Sequence, residues 1–409
     1  MPTRSMIRVH NAKSTYSSSM RTNSAIQSRT HPRHAALACA PFQSHRRNRP
    51  TVLSKPVDQT NRLTSRIAPP TRRCVCNVSR GGPEKELEDE DETDSLMSSF
   101  HSVMQRRRGL EMFKKELDQE EEDVDLLKAA VFIAQHRTPE LDADAVIRKI
   151  DAMVEELQEY LPPPDERYPL RMIGAISKFL YEVKGVKGNS EDYYNPDNSC
   201  IDKVIENSTG IPISISLLYM ELARRVDFPM IGVNLPTHFM IRPLLGEVEI
   251  LVDAFNQGKV MFVEDAEELL QKHYGPGTTV TIDRTFFQDN AVRNRNFLTR
   301  MLTNLKQIYF DKKEYELALM ITEYQQECSP TEEVLKYNSR DRGILLYLLQ
   351  RYPEARLELS EYLAASPNAS DFERVSGIIE SMRMPTDFGG MRFSSSDEDG
   401  EKNEDDQTK

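Results

Sequence analysis

Between Asp123 and Met384 short apolar stripes alternate with polar loops, and their spacing changes from helical to strand-like and back. Leu126, Ala130, Ile133 and Ala134 recur at helical spacing, and after TPELDAD a second stripe runs through Val146, Ile150, Val154 and Leu157. Both predict helices. The loop LPPPDERYP (Leu161 to Pro169) ends this pair, and Met172, Ile176, Phe179, Leu180 and Val183 predict a third helix. KGVKGNSEDYYNPDNS is rich in Gly, Asn and Asp, where turn formers outcompete regular structure. A short helix from Ser199 to about Glu206, capped by Asn198 or Ser199, follows. Pro212 then suits the first turn of a longer helix, with Ile215, Leu218, Leu222 and Val226 as its buried stripe. Glu221 lies off that stripe and is expected to face solvent, while Arg224 and Arg225 complement the dipole of the last turn. Pro229 blocks continuation. MIGV, HFMIR, EILVDAF and KVMFV then read as four short strands of an antiparallel sheet, with His238 and Asp253 at equivalent places on neighbouring strands.

After Phe287 the pattern is helical again and repeats. Ile308, Tyr315, Ala318 and Pro330 are matched by Leu345, Tyr352, Ala355 and Pro367, each 37 positions later. That period is close to helix-turn-helix solenoid repeats of the tetratricopeptide type. Two such units cannot bury a solenoid core alone, so they are expected to pack on the preceding domain.

Charge changes the picture at the ends. The chain has 409 residues and a net charge of -12, which argues against a nucleic-acid surface. No run approaches the roughly 18 apolar residues of a membrane span. Up to Gln59 the chain is rich in Arg, Ser and Thr, and its only acid is Asp58. This is the composition of a transit peptide, a disordered basic tail being the bland alternative. At TRRCVCNVSRGG the composition flips to EKELEDEDETD, read as a processing region followed by an acidic linker. The RRCVC stretch favours the chloroplast stroma, with the mitochondrion as alternative. Five cysteines are too few for a disulfide framework, and Cys74 and Cys76 lack a second Cys or His pair that would complete a metal site. No cofactor or metal is expected.

A cysteine hydrolase or acyl transferase needs a thiolate at a helix N-terminus, a histidine on an adjoining strand and an acid or amide to orient the ring. His238 and Asp253 fit the last two by spacing. The helix start holds Pro212, which has no nucleophile; Ser214 and Ser216 lie within the helix, where hydroxyls more often satisfy backbone carbonyls. Cys200, at the start of the preceding helix, is either an activated thiol or a buried structural one. His238 and Asp253 are either a retained structural pair or a working proton-transfer pair.

DYYNPDNSCIDKVIENSTGIPISISLLYMELARRVDFPMIGVNLPTHFMIRP, then LVDAFNQG and RDRGILLYLLQRYPEARLELSEYLAASP, resembles the SirB1 family over about Asp123 to Met384. With the basic leader, the resemblance points to a plastid-targeted plant or algal member. It implies an α+β fold: a helical N-terminal part, a transglutaminase-like (papain-like) core with a small antiparallel sheet, and an all-α tetratricopeptide-like segment. Relatives that keep the nucleophile place Cys where this chain has Pro212. Thr237 and Ala254 stand where the family usually has glycine and proline, which puts the local turn shapes in question. A similar domain in an animal F-box protein implies protein interaction in some relatives. The expected organisation is a leader over 1–80, an acidic linker and lead-in over 81–122, the transglutaminase-like domain over 123–285, helical repeats over 286–384 and an acidic tail over 385–409. The expected function is a non-catalytic adaptor or regulator that binds another protein through its repeats, the alternative being a hydrolase or acyl transferase that uses His238 and Asp253.

Overall fold

The computed structural model describes residues 7–11, 86–236, 238–244, 249–275, 278–283, 286, 291–328 and 332–382. Strand β1 (Ile7–Asn11) comes first, followed by helix α1 (Glu86–Leu117), α2 (Leu126–Ala134), α3 (Ala143–Leu157) and α4 (Pro169–Ser177), which a wider π-type turn carries on to Val183. Two-residue strands β2 (Lys187–Gly188) and β3 (Thr209–Gly210) pair in parallel and bracket α5 (Ile201–Asn207). Helix α6 (Pro212–Arg225) leads into β4 (Met230–Leu235), β5 (His238–Pro243), β6 (Leu251–Asp253) and β7 (Lys259–Met261). Then come α7 (Val263–Tyr274), β8 (Thr278–Ile282), β9 (Ala291–Val292) and the C-terminal helices: α8 (Asn294–Asp311), α9 (Tyr315–Cys328), α10 (Glu332–Leu348), α11 (Tyr352–Ala365) and α12 (Phe372–Ser381).

The four strand-like runs of the sequence, joined by β9 at one edge, form an antiparallel sheet in the order β7-β6-β5-β4-β9. Alternation along the strands divides its side chains between two cores. Phe239, Ile241 and Val252 join the main core with α6, whereas Met240 and Leu251 join Leu270 of α7 and Val280 of β8 on the other face. The fold is α+β, mostly helical with a small sheet, as the sequence pattern implied.

The α6 stripe has the predicted phase: Ile215, Leu218, Leu222 and Val226 are all buried. Glu221, however, is buried too, because α2, α3 and the sheet enclose the helix on every side. Its carboxylate accepts from Arg224 Nε and Nη2 at 2.9 and 2.8 Å and from Arg225 Nε at 2.6 Å. Burial still holds the Glu221 carboxyl above its ordinary range against these bonds. The expectation of a solvent-facing glutamate is thus overturned. The two arginines are its ion-pair partners as well as dipole complements.

A second core fills the C-terminal helices, and two elements serve both cores. On α2, Leu127, Ala130 and Val131 face the main core while Ala129, Phe132 and Ile133 face the second. On α8, Phe297 and Met301 belong to the main core while Leu298, Leu302, Leu305 and Tyr309 belong to the second. A helix that is apolar nearly all round is one buried on both sides, which is why Lys128 is the one polar residue of LLKAAVFIA. A boundary between residues 285 and 286 therefore does not separate two packed units.

The repeat read from the sequence is a repeat of geometry. Helices α9 and α11 begin at the matched Tyr315 and Tyr352, and the helices before them end at Asp311 and Leu348. Lys313 and Gln350 close the two turns with φ of 62° and 61°. Glu314 N–H donates to Tyr309 O at 2.9 Å, and Arg351 N–H to Leu346 O at 2.9 Å. Ala318 and Ala355 are both fully buried, small residues at the same closely packed position. Pro330 lies outside the described residues.

The ends differ from the composition-based reading. Within 81–122, read as an acidic linker and lead-in, residues from 86 on form α1, whose last turns bury Phe113 and Leu117 in the second core. Within 1–80, residues 7–11 form a strand antiparallel to β8, with Val9 opposite Val280. The remainder of that leader, Cys39, Cys74, Cys76 and the tail over 385–409 lie outside the described residues. Among the described residues no helix is long and apolar enough to cross a membrane, and no cluster of His, Cys, Asp and Glu could hold a metal ion.

Candidate functional site

The start of α6 is built by the residues just before it. Ile211 is the N-cap, in extended backbone, and Pro212 takes the first helical position, where its missing N–H leaves no bond unmade. Ser214 Oγ accepts from Ile211 N–H at 3.1 Å and lies 2.5 Å from Asn198 O, tying the helix start to the preceding loop. Asn198 in turn donates from Nδ2 to Asp192 O at 2.7 Å and accepts from Asn189 Nδ2 at 3.1 Å. The asparagines of the long loop are thus its internal fasteners. Gly210 is required here, because a Cβ would stand 2.8 Å from Ser214 Oγ. The position a cysteine would need is held by a half-buried proline, and the nearest hydroxyl is fully buried and already bonded.

Ser216 is also fully buried, inside the helix. Cys200 is the N-cap of α5, correcting the expected Asn198 or Ser199 cap, and its side chain makes no capping bond. Burial drives its thiol far above the ordinary range, and the carboxylates of Asp202 and Asp197 add to the shift against the opposing charge of Arg137. A thiolate is the nucleophile, and burial works against forming one at Cys200. Cys328, buried in the second core, is pushed up to about 12, chiefly by desolvation. Both thiols of the folded full-length chain are expected to alkylate at least about a hundredfold more slowly than a free thiol at neutral pH, and to react after denaturation. Peptide-resolved mass spectrometry reads this out. Fast labelling of Cys200 in the folded state would return it to the list of nucleophiles.

His238 opens β5 and stands opposite Leu235 of β4, half-buried. Asp253 closes β6, and Ile241 opposite Val252 sets the register that brings both residues to the same end of the sheet. The Asp253 carboxylate is nearly inaccessible and serves the turn that follows it. Oδ1 accepts from the backbone N–H of Phe255 and Asn256 at 3.1 and 3.2 Å, and Oδ2 from Asn256 Nδ2 at 2.5 Å. Gly258, at φ 69°, completes the turn and fits only without a side chain, since a Cβ would meet Ser177 Oγ at 2.2 Å. This arrangement was legible in DAFNQG: Asp followed by Asn and Gly is a turn signature as well as a catalytic one.

Several residues of this neighbourhood escaped the sequence reading. Tyr181 donates its hydroxyl to Ala254 O at 2.7 Å, and Ser177 Oγ lies 3.1 Å from Tyr219 Oη. Burial, with Tyr219 and Asp253 nearby, raises the Tyr181 hydroxyl well above its ordinary range and keeps it a donor. Arg300, on α8, lies 5.2 Å over the Phe239 ring and donates to Asn234 Oδ1, so the C-terminal helices reach the sheet beside His238. The cavities of about 290 and 130 Å³ that flank α3 and α5 are lined by neither Pro212, His238 nor Asp253.

Residues 144–303 match the family model described as the transglutaminase-like superfamily, and the end of that match falls inside α8. The chain thus carries a transglutaminase-like domain with a helix-then-sheet core. The chain is 31% identical over 265 residues to a UPF0162 protein of Xylella fastidiosa (strain 9a5c), covering 64% of this chain and 90% of that one. A UPF0162 protein of Vibrio cholerae is 25% identical over 252 residues, 61% of this chain and 90% of the relative. The chain belongs to the UPF0162 family. It is also 30% identical over 198 residues to human F-box only protein 21, spanning 42% of this chain but 32% of that protein. No solved structure is a significant match.

Proposed function

We propose that this protein is a non-catalytic transglutaminase-like module that binds another protein, as adaptor or regulator, in the plastid. The observation that carries the reading is Pro212 at the first position of α6, where acyl-transfer chemistry would need a nucleophile. The bonded Ser214, the buried Cys200 and the turn-forming Asp253 supply no substitute. A related stretch occupying about a third of a human F-box protein is consistent with use of this domain as one module among others. The helical array offers the contact surface: Tyr352 and Leu357 on α11 are exposed. Plastid location rests on the acid-poor, Arg- and Ser-rich leader.

Two variants test the reading together. His238→Gln should leave folding and partner capture from plastid extract unchanged, whereas Leu357→Asp should keep the fold and lose the partner. Turnover of a model ester or amide by the purified protein, falling about 10² to 10⁴-fold in His238→Gln, would overturn the proposal in favour of an acid/base enzyme.

A further inference from the structure

Strand β8 stands apart from the five-stranded sheet. Its sequence TTVTI alternates: Val280 and Ile282 are buried beside Ala266 and Leu270 of α7, while Thr279 and Thr281 are exposed. In an antiparallel ladder successive residues turn their backbone groups to opposite sides, and Ile282 spends its N–H on Glu267 Oε1 of α7 at 2.8 Å. Thr279 and Thr281 therefore turn theirs the other way, to β1, where they stand opposite His10 and Arg8. Among the described residues β1 is the one strand paired with β8.

Strand β1 lies in the leader that is removed if the chain enters the plastid as proposed above. Loss of residues 7–11 leaves the N–H and C=O groups of Thr279 and Thr281 on a strand edge, a template for another strand. The register shows what fits there. Positions 7 and 9, Ile and Val, fall opposite Ile282 and Val280, the buried residues of β8, and Arg8 and His10 fall opposite the exposed threonines. We infer that β8 is a strand-addition site for another protein, covered by the chain's own Ile7–Asn11 until the leader is lost, and that the partner supplies an extended segment with branched apolar residues at alternate positions. The timing rests on removal of the leader, a part of the proposed function; the site itself rests on the pairing of β1 with β8.

Fluorescence anisotropy with the full-length chain and a labelled peptide of residues 5–13 (SMIRVHNAK) tests the site. In Arg8→Pro/His10→Pro the tethered strand loses both N–H groups that would meet the edge. That variant should bind the peptide with a dissociation constant below about 100 μM, and at least about tenfold more tightly than wild type, whose edge is filled by a tethered competitor. Replacing residues 7–11 by a flexible Gly/Ser run should act as the two prolines do. A peptide N-methylated at the Arg8 and His10 nitrogens should not bind, and neither should one carrying Ile7→Asp/Val9→Asp. Equal affinity for variant and wild type, no binding by either, or undiminished binding of the N-methylated peptide would overturn the site. A variant that dimerises in sedimentation and so excludes the peptide would overturn the foreign occupant in favour of a second copy. Protein purified from plastids should begin beyond Asn11; an N-terminus that retains residues 7–11 would overturn the uncovering step and leave the peptide result standing.

Discussion

Phe297→Ala should lower the free energy of unfolding by about 3–5 kcal/mol, the range for a buried aromatic truncated to alanine. The ring is fully buried and meets Phe239 of β5 edge-on, with centroids 5.3 Å apart and planes at 86°. Its neighbour Leu298 faces the other core, so α8 is a wall common to both. Loss of the ring should therefore weaken the whole molecule and leave a single cooperative urea transition at a lower midpoint. Leu357→Ala, on the exposed face of α11, should shift the midpoint little. Two separate transitions in the Phe297 variant, or a cost below about 1 kcal/mol, would mean that the sheet domain and the helical array stand independently.

Acid should loosen the same junction through His136. This histidine follows α2, is fully buried, and lies 2.5 Å from Ile133 O by Nδ1 and 2.6 Å from Tyr309 Oη by Nε2. A carbonyl can only accept, so Nδ1 carries the proton and Nε2 accepts from the tyrosine. Burial lowers the imidazole to about 4, with Arg137 and Arg106 adding to the shift and the Ile133 bond opposing it. In the unfolded chain the ring takes up its proton near pH 6.5. Between those two values the unfolded state binds more protons, so stability falls as pH falls from about 6.5 to about 4 and is unaffected by this group above or below. The integrated loss is roughly 3 kcal/mol. His136→Gln, which can still accept from Tyr309 but cannot titrate, should flatten the dependence of the urea midpoint between pH 7 and pH 4.5. An identical slope in both proteins would show that His136 is not the group responsible.

The sheet, the phase of α6 and the 37-residue period could be read from the chain because each depends on spacing along one element, which burial then enforces. What spacing does not carry is how many neighbours an element has. Glu221 sits on the polar side of α6 by pattern, yet that side meets α2 and α3, and only the arginines one turn on make its burial tolerable. The acidic run before Met97 reads as a linker by composition, but α1 is held by Phe113 and Leu117 further along, whose burial comes from α2 and α9. At the candidate site, His238 and Asp253 were found at the same end of the sheet as expected. The turn chemistry that engages the Asp253 carboxylate is local, and it is indistinguishable in sequence from a catalytic role.

The two hairpin turns of the helical array put lysine and glutamine, at positions 313 and 350, where a left-handed backbone suits glycine. Each costs on the order of 1 kcal/mol relative to glycine at the same angle. Because the two joints are superimposable in their hydrogen bonds and sit at the same phase of the repeat, they form a modular coupling. A further unit spanning one period could be spliced between Lys313 and Gln350 without inventing a new bend. The C-terminal array is thus the part of this molecule best suited to lengthening by duplication, and the part where glycine at two known positions would offset the strain of doing so.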